Sequence, residues 1–272
     1  MNPKTIFNPK HFLFMDTISW YVYLLGALAG LAAGFINTLA GNGSAITLPM
    51  LSMLGLPAGM ANGTNRVGVA AQSLTGYLTF RKKGVHTDGA ALWWLIVPAV
   101  VGSVAGAQLA VELHEKYLNL ALSCLMALLL YLVVKDPERW LAAATPNPSG
   151  FRSVKTTLLM LAVGLYGGFI QAGVGILILA ALVLGAGYSL NQANSIKSLL
   201  VFAFTIPALF IFIINGQVNW YLGLLLTVGQ TAGAWAAATF AVKIPRANYW
   251  IRLLLIAVIV MAIVHFGRSF AA

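Results

Sequence analysis

AGNGSAITLPMLSMLGLPAGMANGTNR, from Ala40 to Arg66, recurs as AGVGILILAALVLGAGYSLNQANSIKS from Ala172 to Ser198. At a constant offset of 132 positions, Gly41 matches Gly173, Gly43 matches Gly175, Gly55 matches Gly187, Ala61 matches Ala193 and Asn62 matches Asn194. Just upstream, GFIN (Gly34 to Asn37) answers GFIQ (Gly168 to Gln171), with two extra residues in the first copy. Self-similarity at half the chain length indicates duplication, and in an apolar chain duplication points first to transporter architectures. Each copy ends with one isolated cation, Arg66 or Lys197.

The chain around these copies is 60% hydrophobic and only 8% charged over 272 residues, with a mean hydropathy of +0.87. Ordinary soluble domains carry roughly 25% charged residues. This composition therefore belongs to an integral membrane protein. Runs such as Trp93 to Val111, Leu118 to Val134 and Ile251 to Phe266 approach or reach the length needed to cross a hydrocarbon core of ~30 Å as helices. They do not alternate apolar and polar residues, as barrel strands would. The formal charge of +10 forms no basic patch interleaved with aromatics, so no nucleic-acid partner is expected; it reads as a topology signal.

Hydrophobic segments are expected at 18–37, 43–57, 64–80, 90–111 and 117–134, and again at 156–171, 174–188, 195–214, 219–241 and 249–266. The domain organisation follows: a tail over 1–17, a first transmembrane repeat over 18–134, a cytoplasmic linker over 135–155 and a second repeat over 156–272. The second segment of each repeat is short and glycine-interrupted, the sequence mark of a binding site near the bilayer midplane. Arg81, Lys82 and Lys83 assign one loop to the cytoplasm, and Lys135, Arg139, Arg152 and Lys155 assign the central loop there too. In the second half the equivalent loop, Asn215 to Asn219, is uncharged, and Lys243, Arg246 and Arg252 cluster one helix later. The basic side has swapped, as an odd number of crossings per half produces. The expected fold is thus an all-α polytopic membrane protein of two inverted-topology repeats, about five segments each, with both termini outside. Re-entrant short segments with parallel repeats rank second, because they put Lys243 and Arg246 outside.

A cation in apolar surroundings is costly without a partner, which makes Arg66 and Lys197 candidate site residues. Each is expected a few residues into a helix started by an Asn and a small hydroxyl residue: Asn62, Thr64 and Asn65 in one copy, Asn194 and Ser195 in the other. Helix N-termini present free N–H groups and favour an anion. The turns Gly41-Asn42-Gly43-Ser44 and Gly173-Val174-Gly175 can add converging backbone donors. The residues expected to hold an anion are therefore Asn42, Gly43, Ser44, Asn62, Thr64, Asn65, Arg66, Gly173, Gly175, Asn194, Ser195 and Lys197. The competing reading has the two cations snorkelling to headgroups from helix ends, with the glycine turns as tight connections that hold no ligand. Gln72 and Gln171 are further lone polar groups, either interhelical glue or substrate lining.

Asp16, Asp88, Glu112, Glu115, Asp136 and Glu138 all fall in expected tails, loops or helix ends, leaving no carboxylate within the membrane. Coupling to a proton or to sodium would then use a proton carried by the anion, His86 or Asp88, or backbone ligands to sodium. His11, His114 and His265 are too scattered to bind a metal, and no Walker loop, HExxH or GxSxG occurs. No cofactor and no enzymatic activity are expected. Cys124 reads as a small core residue, Trp93, Trp94, Trp220 and Trp250 as interfacial belts, and Trp235 as packed core.

The glycine-rich turn GNGSAITLPML (Gly41 to Leu51), LGLPAGMANGTNRV (Leu54 to Val67), the basic turn RKKG (Arg81 to Gly84) and ANSIKSLL (Ala193 to Leu200) resemble the sulfite exporter TauE/SafE family of bacterial membrane transporters. The order of segments is similar along nearly the whole chain. The resemblance implies a multi-pass protein of the bacterial inner membrane that exports small sulfur-containing anions such as sulfite, thiosulfate or organosulfonates. An anion channel with the same lining, or a non-transporting permease or assembly subunit, are the alternatives.

Overall fold

The computed structural model describes residues 20–85, 89–134, 153–185, 187–240 and 260. Among them the chain is helical throughout its regular structure. In the first half these helices are α1 (Trp20–Ala40), α2 (Ser44–Met53), α3 (Ala58–Lys82), α4 (Gly89–Glu112) and α5 (Glu115–Val134). The second half supplies α6 (Val154–Phe169), α7 (Val174–Ala180, continued by a π-helical turn over Ala181–Gly185), α8 (Leu190–Ile214) and α9 (Trp220–Phe240). The tail over 1–17, most of the 135–155 linker and the segment expected at 249–266, position 260 apart, lie outside the described residues. Among the described residues, two helices, Leu92–Glu112 and Leu190–Ile214, are long and apolar enough to cross a membrane by length and composition alone.

Side-chain size explains which helices meet. An added Cβ at Gly102 or Gly106 of α4 would overlap the carbonyls of Leu161 and Leu165 on α6, and one at Gly164 or Gly168 would overlap those of Ala99 and Ser103. The α1–α9 seam is built alike, with Gly34 against Gln230 and with Gly229 and Gly233 against Ala27 and Leu31. Glycine lets two backbones touch where lipid supplies no hydrophobic drive for association. The residue order along each seam gives the chain directions. Gly26 meets Leu225 and Gly30 meets Gly229, so α1 and α9 are parallel; Gly63 meets Gln217 and Gly68 meets Gln230, so α3 runs with them. Gly164 on Ala99 and Gly168 on Ser103 make α6 parallel to α4. Helix α8 opposes α3, since Gly63 meets Phe212 while Gly76 meets Ser198.

The outer surface is apolar. Leu24, Leu25 and Leu28 on α1, Trp93, Trp94 and Val101 on α4, and Leu224 and Val228 on α9 are all exposed. A soluble monomer rarely shows more than a few hundred Å² of contiguous apolar surface. The short helix α2, by contrast, is buried from Ser44 to Pro49. Broken helices survive at membrane depth only inside protein, where neighbours satisfy the freed backbone groups.

Four expectations need correction. Helix α3 starts at Ala58 after Pro57, where the sequence reading placed the start near residue 64. Helix α8 starts at Leu190 behind a Ser189–Gln192 capping box, where it was placed near 195. Pro57 tolerates its missing N–H at a helix start, and the first free donors of α3, Ala58 N and Gly59 N, give 2.8 and 3.1 Å bonds to the Glu115 carboxylate. Asn62, Thr64, Asn65, Asn194 and Ser195 therefore lie inside helices and supply side chains, with no free N-terminal amides. Cys124 is exposed, and Trp235 is 56% exposed on the outer face of α9; Ala234, Ala237 and Ala238 supply the buried side of that helix.

Candidate functional site

The two glycine turns meet. Helix α1 stops at Ala40, and Gly41, at φ +74°, starts the reversal into α2. Gly173, also at φ +74°, caps α7. A Cβ on Gly41 would overlap the backbone of Gly175, and one on Gly175 would overlap Gly41. Both breaks thus come together at one point, with Gly43 pressed on the Ala33 carbonyl and donating its N–H to Asn37 Oδ1 at 3.3 Å.

Each break is capped by a cation from the opposite half. Arg66 on α3 is fully buried. Its Nη1 donates to the Gly167 carbonyl (3.1 Å) and to Gln171 Oε1 (3.0 Å), and its Nη2 donates to the Gly168 carbonyl (2.6 Å) and to Asn62 Oδ1 (3.3 Å). The guanidinium also lies 4.7 Å from the Phe212 ring centroid. Lys197 on α8 donates to the carbonyls of Asn37 (2.9 Å) and Thr38 (2.7 Å) and to Asn194 Oδ1 (2.8 Å). Those carbonyls belong to the last turns of α6 and α1, where four groups lack intrahelical partners and the macrodipole is negative. The matched residues Asn62 and Asn194 do the same job, each orienting the cation on its own helix. Neither cation reaches the protein surface or meets a carboxylate among the described residues, and carbonyls satisfy N–H groups without cancelling charge. Two basic side chains without a described carboxylate partner thus sit at the centre of the molecule, each on the negative end of a helix.

The other expected residues divide. Ser44 and Asn65 come together, Asn65 Nδ2 donating to Ser44 Oγ at 3.0 Å while Thr47 Oγ1 donates to Asn65 Oδ1 at 2.6 Å. Asn62 also donates to the Phe169 carbonyl at 2.7 Å, so it joins the Arg66 cluster. Asn42 and Ser195 are buried with their side-chain polar atoms unpartnered. Thr64 does not join them: its Oγ1 accepts from Asn219 N at 2.9 Å at the start of α9. Among the described residues no three His, Cys, Asp or Glu side chains gather to hold a metal.

The sequence reading passed over Asn37, Thr38, Ser73 and Ser198, which line a small cavity together with Gln72 and Lys197. Gln72 was visible as a lone polar residue. The contributions of Asn37 and Thr38 to Lys197 come from backbone carbonyls, and no side-chain pattern announces those.

Comparison with known proteins gives the family. The family described as "Sulfite exporter TauE/SafE" matches residues 26–266. The chain belongs to that family. Among curated relatives, a probable membrane transporter protein of Haemophilus influenzae is 29% identical over 75% of this chain and 79% of its own length. A probable membrane transporter protein of a Sinorhizobium species is 28% identical over 84% of this chain and 86% of its own. One from Escherichia coli strain K12 is 30% identical over 78% of each. No solved structure gives a significant match. Membership of the TauE/SafE family makes this a membrane protein and a transporter, and the glycine turns and buried cations are the part of its fold open to a chemical reading.

Proposed function

We propose that the protein is a secondary transporter that exports small sulfur-containing anions, such as sulfite, thiosulfate or organosulfonates, across the bacterial inner membrane. The observation that carries this reading is the pair of buried cations, Arg66 and Lys197, without a carboxylate partner among the described residues, at the meeting point of two broken helices. Uncompensated charge in a low-dielectric interior attracts an anion strongly. The site residues we assign are Arg66 and Lys197 for charge, with Asn42, Gly43, Ser44, Asn62, Asn65, Gly173, Gly175, Asn194 and Ser195; Thr64, also expected from the sequence, is turned to Asn219 instead. The sulfur chemistry and the direction come from the family's description.

The architecture we assign is a multi-pass one of two inverted repeats, 18–134 and 156–272, behind a tail over 1–17 and joined by a cytoplasmic linker over 135–155. The opposed runs of α3 and α8 support it, as do those of α3 and α6, where Asn62 reaches Phe169 and Arg66 reaches Gly167, so that α6 also runs against α1. Inversion lets the two halves exchange roles, opening the shared centre first to one side and then to the other.

Purified protein in proteoliposomes tests the function. Vesicles loaded with sulfite or thiosulfate should lose the anion faster than empty-lipid controls, with saturation and counterflow. Absence of any sulfur-anion flux overturns the substrate class, and a conductance far above carrier turnover that follows the anion gradient replaces the carrier with a channel.

A further inference from the structure

The two halves use the same scaffold differently at one place. A cavity of ≈ 10 Å³ is lined by Asn37 and Thr38 of α1, Gln72 and Ser73 of α3, and Lys197 and Ser198 of α8. At the offset of 132, Gln72 corresponds to Phe204, Ser73 to Thr205 and Ser198 to Arg66. The matching place in the other half is filled. Phe204 is fully buried with its ring against Gly167, and Thr205 Oγ1 accepts from the Gln171 amide at 2.8 Å. The Arg66 guanidinium occupies the rest; Lys197, whose three hydrogens are also taken by Asn37, Thr38 and Asn194, is the shorter cation and leaves the space beside Gln72 and Ser73 open.

We propose that the cavity between α1, α3 and α8 is the oxyanion cup of the transporter, with Lys197 as its charge and Gln72 and Ser73 as donors to the oxygens, while Ser198, its hydroxyl donated to the Asn194 carbonyl, only lines the wall and Arg66 acts as a lock. This assignment rests on the anion-transport reading and narrows it to one of two pseudo-equivalent cations. Gln72 is 2% exposed and its Oε1 has no partner. A buried amide end is costly unless something fills the space beside it. Its oxygen and nitrogen ends are nearly interchangeable in shape, so the same torsion presents an N–H donor to an anion. Gln230 continues the polar path. It is 1% exposed with both amide ends unpartnered, and it packs on Gly34 and Gly68, each four residues before a cavity residue, Thr38 or Gln72. Four residues is about one helical turn, so the unpartnered Gln230 amide, packed on Gly68, lies about one turn of α3 from Gln72.

The cavity as it stands holds about one water, so it describes the closed cup. A three-oxygen anion enters when α3 parts from α8. At the cavity end of that seam Gly76 faces Ser198 Oγ, 3.3 Å from where a Cβ would sit, whereas Phe212 packs on Gly63 and Arg66 toward the other end.

The test is the ligand-induced rise in melting temperature of the purified full chain, with sulfite, thiosulfate, methanesulfonate, sulfate and chloride at matched ionic strength. Variants Gln72→Leu, Ser73→Val and Thr205→Val run beside wild type, and reading the ligand increment removes differences in basal stability. The cup predicts that Gln72→Leu and Ser73→Val weaken the effective anion about ten-fold or more, the usual worth of a hydrogen bond to a charged group. Thr205→Val, at the filled position, keeps the wild-type increment. If wild type responds and both cup variants respond equally, or if Thr205→Val loses as much, the cup is wrong and the transport reading stands. If no oxyanion stabilises wild type, both the cup and the proposed substrate class fall.

Discussion

Arg66 carries more contacts than any other polar side chain described. Its guanidinium gives four hydrogen bonds and faces Phe212. Two of its acceptors are carbonyls at the end of α6, which no other described donor reaches from the side chains. Arg66→Met keeps much of the volume but strands these acceptors in a dry interior. Each unsatisfied buried group costs about 1–3 kcal/mol, so Arg66→Met should lose at least about 3 kcal/mol against unfolding in detergent. Arg66→Lys restores charge with three donors and no fork, and should recover part of the loss. Equal melting temperatures for the methionine variant and wild type would show that the lock contributes nothing. Lys197 is the smaller counterpart, its three hydrogens on Asn37, Thr38 and Asn194.

Helix breaks show why some glycines are required and others are convenient. Gly41, Gly55, Gly84, Gly173, Gly187 and Gly216 have positive φ, at +74°, +87°, +82°, +74°, +68° and +68°. They form three pairs, 41 with 173, 55 with 187 and 84 with 216, each separated by the repeat offset of 132. The third pair was not singled out in the sequence, since neither Gly84 nor Gly216 lies in the duplicated stretch. Their surroundings differ sharply. A Cβ at Gly41 overlaps Gly175, whereas one at Gly55 meets nothing within 4 Å. Gly55→Ala should therefore cost only the left-handed backbone penalty of roughly 1–2 kcal/mol. Gly41→Ala should cost more than that and should abolish transport, because the two turns can no longer touch. Comparable melting temperatures and flux for both variants would refute the contact. The same backbone contact fixes where α2 and α7 begin, since both start at the two touching turns.

Across the whole molecule, the opposed directions of α3 and α8 put their C-terminal loops at opposite ends. Lys83 follows α3, and Gly216 follows α8 beside Gln217, whose carbonyl lies against Gly63 near the start of α3. In a Cys124→Ser background, a cysteine at Lys83 and one at Gly216 should be labelled by an impermeant maleimide from opposite sides of the membrane. The proposed topology assigns Lys83 to the cytoplasm. Labelling of both from one side would overturn the inverted arrangement and leave the parallel one.

Composition was enough to determine a helical membrane protein, and self-similarity pointed to duplication, because apolar content and glycine spacing are properties of the chain written along one dimension. The resemblance carried by the glycine turn and the ANSIKSLL stretch named the family for the same reason. Helix starts were misplaced because Asn62 and Asn194 look like caps; the Ser189-x-x-Gln192 capping box was legible in the sequence, whereas only the tertiary structure brings Glu115 to the free amides of α3. What the cations touch was decided by tertiary structure alone. Arg66 and Lys197 are bound by carbonyls 101 and 160 residues away in sequence, and a backbone carbonyl is present at every residue. No pattern of side chains can say which carbonyls a fold will leave unpaired at the end of a helix and bring against a buried charge.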